Sequence, residues 1–478
     1  MNSTTAPIIQ QQELTMKCDN NCRFCYNPER CQKEYKPREE DRKRNMVVAE
    51  ISVRHGVMAV CPTGGEPLLV GNHLFEILDI YSQAGCYTTI NSNGRLITPL
   101  IAKRLADSGL NSALISIHGL NGLHDEMVGI KNAFKETWNG IINLREGGIP
   151  VTPNFVATAK NIYGLLELGK ALAEIKIGSM TVTPFLPSWG SASHEQFIMK
   201  QRHYKIYFES VKKIRELGVK VDSTLPIPPC VLIKLFPDEW IKYIDVLSPR
   251  VCMAGRSFGV VAPDGCFRAC IQAPYLSDFG GNVLENYKKS WQNANSWAER
   301  KLLPVQCLEC KAMDVCGGGC RTSCLWENEG SPAGKTMYMG EPLAEEQALL
   351  FRQKTWVFVE KDVSRYTWLS QIKVRDEGWG VIIFNPLNQS FTVLSKQVKD
   401  FTHFSKGVIK FSSDKTAKVL RAIGAIKPSG LSIDNAITIP DSVSVLPASV
   451  MLPRLAGSLD SKNTVYCLRA DTGERYFF

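Results

Sequence analysis

Long apolar runs are missing from this 478-residue chain: nothing approaches the ~18 consecutive apolar residues of a membrane helix, and no basic segment leads into an apolar core at the N-terminus. We therefore expect a cytoplasmic protein with no membrane partner. Charge of one sign is also scarce, since 56 Lys and Arg against 47 Asp and Glu leave a net charge of only +9. That surplus is too dilute for the basic stripe of a nucleic-acid binder, so no nucleic acid is expected as a partner. Low-complexity and collagen-like segments are absent, and a hydrophobic content of 44% suits a globular chain with several cores. Cysteine, by contrast, is plentiful at 16 residues. In a small secreted chain this number would suggest disulfides, but here the cysteines cluster in short spacings, which favours metal or iron–sulfur ligation.

Between residues 57 and 190 short β-rich runs alternate with helical stretches, the signature of an α/β fold with parallel strands. The predicted strands are Val57–Cys61, Tyr87–Asn91, Ala113–His118, Val151–Ala157 and Met180–Phe185, preceded by a short one at Glu13–Met16. Helical patterns cover His73–Ala84, Pro99–Ser108, Lys131–Arg145 and Tyr163–Ile175, with a charged helix over 194–218. Parallel strands with crossover helices gather reactive groups at the strands' carboxyl ends, and the motif residues of this first region lie there. Prolines 226, 228, 229 and 237 suggest that the first domain, 1–230, ends nearby. The next, 231–335, is rich in Gly and Cys and is expected to fold around metal rather than around a large core. A linker at 329–339 leads to a β-rich unit over 345–430, and 431–478 carries no readable motif.

Cys18, Cys22 and Cys25 form C-x3-C-x2-C directly after the first strand, so three thiolates on one loop can converge on one metal centre. A closed zinc site would need a fourth ligand such as Cys31, whereas a [4Fe–4S] cluster with three cysteines keeps one iron open. This spacing, with Phe24 before the third cysteine, resembles the radical S-adenosylmethionine (SAM) family. Gly64-Gly65-Glu66 after the second strand is similar to that family's GGE turn, Asn93-Gly94 to its ribose-side motif, and Ser116 to a cofactor-facing residue of the fourth strand. The family's Ser-x-Asp-Gly reads Ser116-Ile117-His118-Gly119 here. The resemblance implies a partial (βα)6 TIM-like barrel with SAM as cofactor. It implies reductive SAM cleavage to a 5′-deoxyadenosyl radical, with no protein acid or base needed for the first step.

Downstream, Cys252 and Cys270 with Gly265 make C-x12-G-x4-C. Cys307, Cys310, Cys316 and Cys320 make C-x2-C-x5-C-x3-C, and Cys324 follows. The pattern resembles the SPASM extension of radical SAM proteins, with a pair of zinc knuckles as the alternative. By that resemblance Cys252, Cys270 and Cys320 hold one auxiliary [4Fe–4S] cluster and Cys307, Cys310, Cys316 and Cys324 a second, giving three clusters in all. Cys266 is either a further ligand or a bystander. Ile271 stands where sulfatase-maturing relatives carry an aspartate base. Cys61, Cys86, Cys230 and Cys467, alone in apolar surroundings, are expected to be inert buried thiols.

In the C-terminal unit, Arg375-x-Glu377-x-x-Gly380, an apolar strand and Asn385-Pro386 resemble the RiPP recognition element, a small winged-helix-like domain that binds leader peptides. A generic β-rich accessory domain would read the same way. Two helices are expected within it, Lys396–Phe404 and Asp414–Ile423. From 351 to 478 there are 18 Lys and Arg against 11 Asp and Glu, which suits an acidic leader. The resemblances together imply a radical SAM/SPASM maturase acting on a precursor peptide with a leader sequence, fed by a one-electron donor such as flavodoxin or ferredoxin. A maturase of folded proteins or small molecules, and a non-catalytic iron–sulfur carrier, are the alternatives.

Overall fold

The computed structural model describes residues 4–27, 39–187, 195–223, 227–244, 246, 252–273, 277–298, 303–327 and 339–354, and ten short strands and their immediate flanks between 356 and 477. They divide into two units: 7–310 with 316–343, and 1–6 with 311–315 and 344–478.

The larger unit is built on parallel strands β1 (Ile9–Thr15), β2 (Ala59–Gly64), β3 (Tyr87–Ser92), β4 (Ser112–Ser116), β5 (Val151–Ala157), β6 (Ser179–Pro184) and β7 (Lys220–Asp222), hydrogen-bonded in that order. Helices α1 (Glu39–Arg54), α2 (Asn72–Gln83), α3 (Pro99–Asp107), α4 (Asn121–Val128), α5 (Ala133–Glu146), α6 (Leu165–Glu174) and α7 (Gln201–Glu216) fill the crossovers. This is the α/β fold with a parallel sheet that a TIM-like radical SAM barrel requires. The six expected strands are present and β7 adds a short seventh. β2 is buried along its whole length, whereas β3 and β4 alternate half-buried and buried residues, one face turned to the barrel interior and the other to the helices.

β1 begins at Ile9 rather than Glu13, and the reason is polar burial. Its sequence IQQQELT has no apolar alternation, yet Gln10 and Gln12 are completely buried. Gln10 donates to Ser52 Oγ (2.8 Å) and accepts from Tyr287 Oη (2.7 Å). Gln12 donates to the Asn45 carbonyl (2.8 Å) and accepts from Tyr81 Oη (2.7 Å). Fully paired glutamines can occupy the centre of a sheet that hydropathy would assign to aliphatics. α1 escaped prediction for a related cause, since EEDRKRNMVVAEISVR hides a narrow buried stripe of Asn45, Val48, Ala49 and Ser52 in charge.

The cysteine-rich segment continues this sheet. β8 (Phe258–Val261) pairs in parallel with β1, and β9 (Cys266–Arg268) and β10 (Gly280–Asn282) extend it antiparallel, making ten strands. The boundary expected near 230 therefore does not separate two compact units, because β1 is shared between the barrel and the cysteine-rich strands. Nor does this segment lack a core: Trp291 and Trp297 of α8 (Val283–Ser296) and its C-cap are buried with Phe267, whose ring meets Trp291 edge-on at 5.8 Å.

In the smaller unit the strands Lys373–Asp376, Gly380–Asn385 and Ser390–Ser395 form an antiparallel meander. Strands Tyr466–Leu468 and Arg475–Phe477 join the same six-stranded sheet, and Ala436–Ile439 joins a second, four-stranded one. The strands described within 431–478 thus belong to this β-structure. Arg375 and Glu377 are buried as an ion pair (2.6 Å), with Arg375 donating to the Ala6 carbonyl (2.7 Å) and Glu377 accepting from the Thr5 amide. They anchor the N-terminal residues. The expected helices Lys396–Phe404 and Asp414–Ile423, the linker up to residue 338, Cys31 and the Cys467 side chain lie outside the described residues.

Candidate functional site

Cys18, Cys22 and Cys25 occupy the loop leaving β1, each half-buried. The Asn20 and Asn27 amides donate to the Cys18 and Cys25 sulfurs at 3.4 Å each, and the Cys25 amide returns to the Cys22 carbonyl (3.2 Å). Burial first, then the charges of Glu66, Asp19 and Cys25, push the Cys18 thiol up to about 12. Iron ligation here would require this thiol to give up its proton on binding the metal.

The GGE turn is locked to this loop. Gly65 N donates to the Thr15 carbonyl (2.7 Å) and Glu66 N to the Lys17 carbonyl (2.8 Å). A Cβ on Gly64 would lie 2.1 Å from the Thr15 oxygen and one on Gly65 2.0 Å from the Lys17 oxygen. Glycine is needed here because the backbone entering the cysteine loop runs against the turn. The Glu66 carboxylate, wholly buried, accepts from Leu68 N (3.1 Å), Ser92 Oγ (2.8 Å) and Asn93 N (2.8 Å), tying the second strand's turn to the third's. Asn93 in turn donates to Asp19 Oδ1 (2.6 Å), and Arg95 reaches Asp19 Oδ2 (3.1 Å), Asn20 Oδ1 (3.0 Å) and Glu136 (2.6 Å). The sequence reading missed Asp19, Arg95 and Glu136; an Asp between two cysteines and an Arg after Asn-Gly are too common to stand out.

Phe24 is buried with Met127, Phe185 and Phe197 and meets the His118 ring edge-on (5.0 Å), which anchors the cysteine loop to the barrel. His118 Nδ1 accepts from Val156 N (3.3 Å), and His124 Nδ1 accepts from His118 N (3.0 Å). Burial lowers both imidazole pKa values, His124's to about 4, so both rings are neutral at pH 7. Asp125 accepts the Asn132 and Phe134 amides (2.7 Å each) at the start of α5. Ser116 is half-buried at the end of β4, in register with Asn154, which accepts from Thr181 Oγ1 (2.7 Å). This row makes one polar stripe across β4, β5 and β6. A period-2 pattern alone could not reveal which strands stand side by side.

The second constellation gathers around Arg321. This guanidinium is completely buried, and none of its three nitrogens has a hydrogen-bond partner among the described residues. Cys252, Cys320, Cys307 and Cys316 are its electrostatic neighbours. Cys270 is pushed up to about 12 by burial and by the charges of Cys252 and Cys320, which join it in one set. An orphaned buried cation among thiols fits an anionic iron–sulfur group. Among the described residues no three His, Cys, Asp or Glu side chains are grouped to hold a single metal ion. Arg268 of β9 pairs with the buried Glu13 of β1, linking the cysteine-rich strands to the strand that carries the first cysteine loop. Cys266 lies in β9 with its amide on Asp264 Oδ1 (2.9 Å).

Residues 13–175 match the Radical SAM superfamily. This region is a radical SAM domain. The chain is 26% identical over 334 residues to an AdoMet-dependent heme synthase of Methanosarcina barkeri, covering 66% of this chain and 92% of the relative. It is also 26% identical over 327 residues to a PqqA peptide cyclase of Bradyrhizobium diazoefficiens, covering 66% and 81%. Among solved structures, Streptococcus suis SuiB bound to its precursor peptide SuiA superposes with a TM-score of 0.53 at 20% identity, covering 70% of this chain and 76% of that one. The last likeness is one of fold. No described helix is long and apolar enough to cross a membrane.

One consequence for the radical SAM domain is a pH dependence. Burial raises the Glu66 carboxyl from 4.5 to about 7, against the lowering effect of its hydrogen bonds from Asn93, Leu68 and Ser92. Because the folded state holds this proton more tightly than the unfolded chain, the associated stability is complete below pH ~4.5 and is lost as pH rises towards 7. Glu66→Gln should therefore flatten the fall in thermal midpoint across that window, by at most ~3 kcal/mol between its ends. An identical pH slope in the variant would show that Glu66 does not titrate there.

Proposed function

We propose that this chain is a SPASM-type radical SAM maturase that abstracts hydrogen from a ribosomally made precursor peptide and installs a crosslink or a similar bond at an unactivated carbon. The observation that carries this reading is the three-cysteine loop joined to two strand-end turns through Gly65, Glu66, Asp19 and Asn93. Cys18, Cys22 and Cys25 would hold the SAM-cleaving [4Fe–4S] cluster, which supplies one electron to SAM and so a 5′-deoxyadenosyl radical for hydrogen abstraction. The protein's part is to orient and to keep water out. Gly64, Gly65 and Asn93 stand beside the cysteine loop, and Ser116 belongs to the polar stripe across β4–β6, where SAM would extend. Cys252, Cys270 and Cys320 would hold one auxiliary cluster and Cys307, Cys310 and Cys316 three corners of another. A flavodoxin- or ferredoxin-type donor would supply the electron.

Three features support a peptide substrate. One relative is named a peptide cyclase. The C-terminal unit carries most of the positive surplus. Its strand Lys373–Asp376 forms one edge of the six-stranded sheet, with Gly380–Asn385 as its partner. Such an edge can accept a leader as an added strand. The test is anaerobic reconstitution with dithionite and SAM, with and without a precursor peptide encoded beside this chain. We expect 5′-deoxyadenosine and a peptide lighter by two hydrogens. Turnover of SAM with no change in any candidate peptide, but with a change in a tetrapyrrole, would favour the small-molecule reading that the heme synthase relative suggests.

A further inference from the structure

Cys230 was expected to be an inert buried thiol, but the fold does not leave it alone. It is the second residue of the short helix Pro229–Leu235, and it lies against the segment Met339–Leu343, on which the second-cluster cysteines also converge. A Cβ on Gly340 would lie 2.3 Å from the Cys230 carbonyl oxygen, so the two backbones run in direct contact. On the same segment Met339 Sδ lies 3.7 Å from Cys307 Sγ, and the Leu343 amide donates to Cys310 Sγ (3.4 Å). Gly319 packs against both Met339 and Pro228, and the Gly318 amide donates to Cys316 Sγ (3.4 Å). Lys234, one turn on from Cys230, donates to the Met339 carbonyl (3.1 Å), fixing the helix to the segment.

Cys230, Cys307 and Cys310, from two separated stretches of chain, thus meet one five-residue segment, and Cys316 adjoins it through Gly318 and Gly319. They also lie within electrostatic reach of one another: ionising Cys230 or Cys310 would raise Cys316, and ionising Cys316, Cys230 or Cys310 would raise Cys307. Cys310 and Cys316 each accept a backbone N–H, the kind of amide–sulfur bonding that lines iron–sulfur cages and tunes their potentials.

We propose that Cys230 is the fourth thiolate of the second auxiliary cluster, completing the set begun by Cys307, Cys310 and Cys316. The inference rests on the reading of this region as a two-cluster SPASM site, and it replaces Cys324 in the ligand set expected from sequence. Cys324 is wholly buried, its amide on the Cys320 carbonyl (3.3 Å). The position of the completing cysteine upstream of Cys307 explains why spacing could not identify it. No local motif links residue 230 to residues more than seventy positions later.

The test uses the full chain with Cys18, Cys22 and Cys25 replaced by Ala, so that only auxiliary iron is read, and compares Cys230→Ala, Cys230→Ser and Cys324→Ala on that background by iron and sulfide content and by EPR of the reduced protein. The parent should hold about eight iron, as two four-iron clusters. Cys230→Ala should fall to about four or give a three-iron signal, Cys230→Ser should keep iron with shifted g values, and Cys324→Ala should match the parent. Full iron and an unchanged EPR spectrum in both Cys230 variants would overturn the assignment, as would loss of the same cluster in Cys324→Ala alone. Because every variant is scored beside the first auxiliary cluster, whose signal must persist, general misfolding is recognised separately. A parent with only about four iron would instead overturn the two-cluster reading on which the inference stands.

Discussion

Replacing Cys18, Cys22 and Cys25 together by Ala is expected to abolish 5′-deoxyadenosine formation while leaving about eight of some twelve iron atoms per chain in place. The expectation follows from where these thiols stand. They share one loop, that loop is held to the GGE turn by the Gly65 and Glu66 amides, and Asp19 within it binds Asn93 at the end of the third strand. The auxiliary cysteines sit elsewhere, around Arg321 and the segment Met339–Leu343. The substitution removes the sulfur acceptors of the Asn20 and Asn27 amides, but the loop should survive it because the Gly65 and Glu66 amide bonds to Thr15 and Lys17 and the Phe24 packing among Met127, Phe185 and Phe197 remain. The measurements are deoxyadenosine by chromatography after reduction with dithionite and SAM, and iron by colorimetry. Residual SAM cleavage by the triple variant would show that another centre does this chemistry, and loss of all iron would show that the cages depend on one another.

Deleting residues 344–478 should reduce precursor processing by the effective-concentration factor of a tethered leader, on the order of 10²-fold or more, while uncoupled SAM cleavage changes little. This segment forms its own compact unit together with residues 1–6 and 311–315, it holds most of the positive surplus, and its sheet has an edge strand at Lys373–Asp376. The N-terminal residues lose their Arg375 and Glu377 partners on deletion, but the Ile8 and Ile9 amides still bond to the Ser257 carbonyl (2.8 and 2.9 Å), so β1 keeps its place. An isolated leader peptide should inhibit processing by the full chain and have no effect on the truncated one. That inhibition should weaken with salt, since screening shortens to ~3 Å at 1 M. Equal processing with and without the segment would reject leader binding, and joint loss of both reactions would give the segment a structural role.

Much of this protein was legible in its sequence because the relevant signals are local. Three cysteines on one loop, two glycines before a glutamate, and apolar runs at βα spacing act within a dozen residues, so the composition of the loop and the period of the strand suffice to read them. The structure kept Val151–Ala157 to the residue and most other strands to within one or two. What the sequence could not decide involves polar or isolated groups whose meaning depends on a distant partner. Gln10 and Gln12 are admissible in a buried strand only because Ser52, Asn45, Tyr81 and Tyr287 meet them, so β1 and its union with β8 could not be read from hydropathy. Arg375 and Glu377, motif-like in sequence, are a buried pair that fixes the N-terminus. Cys230 looks inert in an apolar helix until Met339–Leu343 is seen to meet Cys307 and Cys310 as well. A buried polar group or thiol must find its partner somewhere, but the chain folds in three dimensions to supply it, and only the tertiary structure shows which residue that partner is.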